Sequence, residues 1–226
     1  MEKKVLEISK PRKQTDEQCL PCVLYTIILN QFKKDKRVNL KHINYRKIKN
    51  WVGYNPNSVA KRMAKLSGRD LRLLKEMYHG VFELDKFHLK LNQNLKTANI
   101  VLRFKVDFSL DDLKFMIESG VYPILLINPK YINNSIVINP HKIEVRGEDP
   151  DYLHAVVIHG FDSEHFYIYD PDLVYNHQKE VLNLKNIRVK TPHHVLSRFA
   201  STFLNRVYWF EPIEKSEKKS LNQWLT

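Results

Sequence analysis

The sequence predicts an α+β fold, with helices first and a mainly antiparallel sheet after them. Two observations carry that prediction. The run from Leu20 to Phe32 is apolar and too long for a strand, and Pro21 sits near its start, where a helix tolerates it. From Tyr122 onward, short apolar runs recur between Gly, Pro, Asn and Asp, the pattern of strands and turns.

Taken in order, residues 1–13 are polar and basic and read as an arm. Residues 14–212 read as one domain, and 213–226 as a charged tail. A largely buried helix is expected over 20–34, with Cys19 at its N-terminus. Two shorter helices are expected at 43–52 and 57–67. Ile48, Trp51 and Val52, then Val59, Met63 and Leu66, give their helical spacing, and Gly53-Tyr-Asn-Pro56 separates them. Residues 81–106 alternate, most clearly in Ile100–Val106, which predicts a strand. Ser109 caps a helix carrying Leu110, Leu113, Phe115, Met116 and Ile117, and Gly120 ends it. Tyr122–Asn128, Ser135–Ile138, Leu153–Ile158 and His165–Tyr169 read as strands, with Gly160–Glu164 turning the last two into a hairpin. A short helix over Val195–Leu204 and a strand over Arg206–Phe210 complete the reading.

Composition narrows the function. Hydrophobic residues make up 43% of 226 residues and aromatics 11%, as in a globular chain able to bury a core. No apolar run approaches the ~18 residues of a membrane span, and Met1-Glu-Lys-Lys-Val leads into no secretory signal core. Two cysteines, Cys19 and Cys22, do not make a disulfide framework, so reduced thiols in a cytoplasm are expected. A net charge of +12 leaves two readings open. Dense runs such as Lys33-Lys34-Asp35-Lys36-Arg37 are a solvated face, or they form a patch for a polyanion.

The chemistry concentrates between Asp151 and Pro171. His154 heads one strand and Asp170 closes the next, sixteen residues later, so an antiparallel hairpin returns the carboxylate to the imidazole. A histidine oriented by a carboxylate is the partner a thiol needs. Cys19 stands where a helix N-terminus favours a thiolate, and a neighbouring imidazolium would favour it further. Cys19, His154 and Asp170 are therefore the candidate nucleophile, base and orienter. Other readings of the same residues stay open. Cys19 and Cys22 also fit core packing, a redox pair or half a zinc site, although no second ligand pair is spaced to complete one. His159, at odd spacing from His154, is expected on the other face of its strand.

Gln18-Cys-Leu-Pro-Cys22, His154-Ala-Val-Val-Ile-His-Gly160-Phe-Asp and Tyr167-Ile-Tyr-Asp170-Pro171 resemble the papain-like cysteine peptidases that process bacteriocin leaders after a double glycine. The likeness extends over roughly residues 14–210. It implies a papain-like peptidase fold and a peptide or protein substrate with small residues before the cleaved bond. With no membrane span or nucleotide-binding segment in the sequence, the stand-alone form is expected, and no cofactor or metal is expected. The likeness also implies an oxyanion hole made by the Cys19 amide and a glutamine upstream. Gln14, five residues ahead, is the choice; the more usual six-residue spacing falls on Lys13, and Gln18 is adjacent to the thiol. Leu20 occupies the position where the family commonly has glycine. An enzyme is thus expected. The reading from a different class is an inactive or non-enzymatic module that binds nucleic acid or an acidic partner through the basic helical pair at 43–67.

Overall fold

The computed structural model describes residues 3–9, 12, 19–52, 87–138, 154–171, 188–200 and 205–213. The expected helix at 57–67, the second of the pair on which the binding-module reading rests, lies outside these residues. So do Gln14, Gln18 and the tail from 214.

Chain order begins with β1 (Lys4–Val5) and α1 (Cys19–Phe32). Pro21 lies in the first turn of α1, where the amide it lacks would have had no helical acceptor. Cys22, Val23, Leu24, Ile27 and Ile28 are fully buried along its length. α2 (Tyr45–Trp51) is capped by Asn44, whose side chain accepts from the Lys47 amide at 3.0 Å. α3 (Phe87–Leu95) corrects the strand expected across 81–106, which survives only as β2 (Ile100–Val106). The reason is spacing: Phe87, Leu91 and Leu95 recur every fourth residue and all three are buried, so one helical stripe faces the core.

α4 (Leu110–Glu118) starts at a full capping box between Ser109 and Asp112 and stops at Gly120, whose φ of 78° a side chain would disfavour. Leu113 and Ile117 face the core, whereas Phe115, expected among its apolar positions, is 69% exposed. Then follow β3 (Ile124–Ile127), a 3-10 turn (Pro129–Asn134), β4 (Ile136–Ile138), β5 (His154–Phe161) and β6 (His165–Tyr169). β7 (Arg188–Pro192), α5 (His193–Ala200) and β8 (Arg206–Pro212) complete the described elements.

The strands form one sheet in the order β2-β8-β3-β5-β6-β7-β4, with β1 attached to β5 and every described pairing antiparallel. Two core clusters divide the strand residues by parity. Ala155, Val157, Leu126 and Tyr169 join α1, α2 and α3 on one face. Val156, Ile158, Ile127 and Ile168 join α4, α5 and Tyr131 on the other. Because side chains alternate across a pleated strand, these are the two faces of the sheet. The central strands are covered on both, which is why β3 and β5 read as continuous apolar runs.

The N-terminal arm is laid along this frame. β3 pairs with β5 from His154 to Val157, and β1 takes up the same edge at Gly160 and Phe161. Leu6 donates its amide to the His159 carbonyl at 2.6 Å. A Cβ on Gly160 would come within 2.7 Å of the Lys4 carbonyl oxygen, so glycine is what lets the arm approach.

Candidate active site

Three elements converge at the rim of the sheet where β5 begins and β6 ends. Cys19 opens α1, which packs on β5, and no acidic residue in its first turn offsets the positive end of the helix. Cys19 as a residue is partly exposed. His154 is the first residue of β5, paired in register with Ile127 of β3. Asp170 follows the last residue of β6. β5–β6 pairing sets Val157 opposite Tyr169, so the next step brings Asp170 diagonally to His154. The sixteen-residue spacing thus produces the contact expected of it: His154 Nε2 lies 2.7 Å from Asp170 Oδ1, where a ring N–H donates to the carboxylate.

Both partners are buried. Burial alone would strip the proton from His154, but the charge and hydrogen bond of Asp170, together with the nearby Cys19 sulfur, outweigh it. The imidazole titrates well above its ordinary range. With Nε2 on Asp170, Nδ1 is the nitrogen left for the thiol.

Asp170 has a further partner. Tyr131, fully buried in the 3-10 turn after β3, donates its hydroxyl to Asp170 Oδ2 at 2.8 Å. No motif in the sequence singles Tyr131 out. It falls in a turn of no recognisable spacing, and only the sheet carries it to the carboxylate.

The remaining candidates separate cleanly. Cys22 is buried on α1 with its sulfur 3.6 Å from the Tyr45 hydroxyl. Leu20 is helical and packs partly against the α1 core, so the backbone at this position does not require glycine. His159 Nδ1–H donates to the Leu6 carbonyl (3.1 Å), which commits this ring to the arm. Arg12 was no candidate, yet it is clamped seven residues ahead of Cys19. Its amide donates to Thr26 Oγ1 (3.1 Å), the Tyr169 hydroxyl donates to its carbonyl (2.7 Å), and its guanidinium lies 3.6 Å from the Tyr45 ring centre. Gln14 and Gln18 lie outside the described residues. Among the described residues, no three or more His, Cys, Asp or Glu are grouped as a metal site requires, and no helix is long and apolar enough to cross a membrane.

Neither the comparison with protein-family models nor that with curated proteins finds a match. Among solved structures, the chain is similar to a Bacillus anthracis protein provisionally described as a C39-like peptidase. The TM-score is 0.52 over 93% of this chain and 98% of that one, at 15% identity. At that identity the likeness establishes the fold: this is the α+β, papain-like arrangement of the C39-like peptidases, with helices against a mainly antiparallel sheet.

Proposed function

We propose that the protein is a C39-like cysteine peptidase that hydrolyses a peptide or isopeptide bond through Cys19, His154 and Asp170. The observation that carries this reading is the buried His154–Asp170 pair, 2.7 Å apart, acted on by Cys19, a partly exposed residue at a helix N-terminus. The fold shared with the Bacillus anthracis protein supports it.

In this mechanism the Cys19 thiolate attacks the carbonyl carbon, and the C–S bond forms as the carbonyl electrons move onto oxygen. The Cys19 amide, with Gln14 as the side-chain donor, stabilises that oxyanion. The His154 imidazolium gives its proton to the leaving amine, the C–N bond breaks, and a thioester remains. Water, deprotonated by His154, then releases the acid and restores the thiol. Asp170 keeps the imidazole turned throughout. By resemblance, the substrate is a peptide leader with small residues before the cleaved bond.

The test needs no known substrate. At neutral pH, iodoacetamide is expected to label Cys19 much faster than it labels a small-molecule thiol, with Cys22 untouched, as read by peptide mass spectrometry. Cys19→Ala should remove both the labelling and any peptidase activity. A Cys19 no more reactive than the free thiol would sink the proposal.

A further inference from the structure

We propose that Tyr131 is a positioning residue of this site, its hydroxyl on Oδ2 holding the Asp170 carboxylate in the one rotation that presents Oδ1 to His154. The inference rests on reading Cys19, His154 and Asp170 as the reacting set, and it adds to that set a residue outside every sequence motif.

The physical need is specific. The terminal torsion of an aspartate is broad and roughly two-fold, so one hydrogen bond to an imidazole leaves the carboxylate free to rock. A second donor on the other oxygen removes that freedom. Here the two donors stand on opposite sides of the carboxylate, His154 Nε2 at 2.7 Å from Oδ1 and the Tyr131 hydroxyl at 2.8 Å from Oδ2. Asp170 is only 6% exposed and Tyr131 fully buried, so this protein donor acts where solvent barely reaches.

The turn that carries Tyr131 is itself tied down. The Tyr131 amide donates to the Asn128 carbonyl (3.2 Å), and the Ser135 hydroxyl donates to the Tyr131 carbonyl (2.8 Å). Ser135 Oγ also lies 2.9 Å from Thr191 Oγ1 on β7. β3, which pairs Ile127 with His154, runs straight into this turn, so the imidazole and the phenol are referred to one strand. The arrangement also joins two layers. Cys19 comes from the helices on one face of the sheet, and Tyr131 belongs to the core on the other.

Among the described residues, the titratable groups acting on His154 include Asp170 and Cys19, and those around Asp170 include His154, Tyr131 and the Tyr169 phenol. Removing the Tyr131 donor takes one hydrogen bond from Oδ2, which disfavours the ionised carboxylate. As Asp170 neutralises, it ceases to support the imidazolium, and the thiolate fraction falls on the acid side.

Tyr131→Phe keeps the ring and its packing while deleting the donor, so it separates positioning from mere core filling. The readout is the pH dependence of Cys19 alkylation by iodoacetamide in the full chain, with Asp170→Asn as the reference for complete loss of the carboxylate. Below neutral pH, Tyr131→Phe is expected to slow alkylation about ten-fold and to move the acid limb to higher pH, toward the Asp170→Asn profile. A folded Tyr131→Phe whose profile superimposes on the wild type overturns the proposal while leaving the peptidase reading intact. If Tyr131→Phe does not fold, Tyr131→3-fluorotyrosine keeps the shape and strengthens the donor. Its acid limb should move to lower pH, and an unmoved limb overturns the proposal equally. Wild-type Cys19 no more reactive than a free thiol would instead reject the underlying reading, and this one with it.

Discussion

His154 is caught between two opposed effects. Desolvation favours the neutral ring, while the Asp170 carboxylate and the Cys19 sulfur favour the cation, and the cation wins. The sign for stability follows from linkage. A histidine whose folded pKa is raised contributes stability that is fully present below its ordinary value of 6.5 and is lost as pH rises through the raised value. Activity that needs the imidazolium should fall over the same alkaline window. Asp170→Asn removes the first of the effects that raise the pKa, so the alkaline limb should move to lower pH. Turnover should fall about 10²–10⁴-fold, with the protein still folded. A pH–rate profile on any cleaved peptide checks both. An alkaline limb unchanged by Asp170→Asn would mean that the carboxylate does not set the proton affinity of His154.

At the scale of elements, the site depends on how strands are held at their ends. Asp162, at the β5–β6 turn, accepts from the Glu164 and His165 amides (3.0 and 2.8 Å) and from the Tyr167 hydroxyl (2.8 Å). These bonds outweigh its partial burial and hold its carboxyl well below the usual range, so the turn stays closed until strongly acid pH. Among the described residues β2 lies at the end of the sheet, and a side chain meets its outer edge. The Asn92 amide donates to the Leu102 carbonyl (3.0 Å) and accepts from the Leu102 amide (2.7 Å), imitating a neighbouring strand. Gly160 governs the arm. In Gly160→Ala the new Cβ would meet the Lys4 carbonyl oxygen at 2.7 Å and Val5 Cα at 3.0 Å, main chain that cannot swing aside, besides the Val5 side chain. The arm should therefore lift from β5, and the Leu6 amide, which bonds His159 O, should lose protection in hydrogen exchange. Protection of Leu6 equal to wild type would show that the backbone absorbs the methyl group in place.

For the molecule as a whole, the sheet is a shared wall between two cores. Ile27 is fully buried in the layer that carries Cys19, so Ile27→Ala should cost about 2–5 kcal/mol in denaturant unfolding, because the surrounding helices and strands cannot collapse around the gap. A loss under about 1 kcal/mol would mean that this layer repacks freely.

Several elements were legible because their signals are local. The apolar run with an early proline makes α1, Ser109 and Gly120 bound α4, and the apolar run before Gly160 makes β5. The His154–Asp170 contact was legible too, since a hairpin is the shortest route between distant side chains and its register can be counted. α3 escapes a local reading because its four-residue stripe sits directly beside a truly alternating strand, whose alternation masks it. β1 and β7 were missed because each is an extended segment with a basic, polar sequence whose strand character comes from the edge it joins.

Local pattern alone placed α1, α4, β5 and β6 and marked which histidine and aspartate would meet, because periodicity, caps and turns act within a few residues. Only the tertiary structure decided that both faces of the sheet are covered, that Arg12 is clamped between α1, α2 and β6, and that Tyr131 reaches Asp170. Those contacts join segments 14 to 157 residues apart, and no local pattern records which distant partner a buried hydroxyl or carbonyl will find.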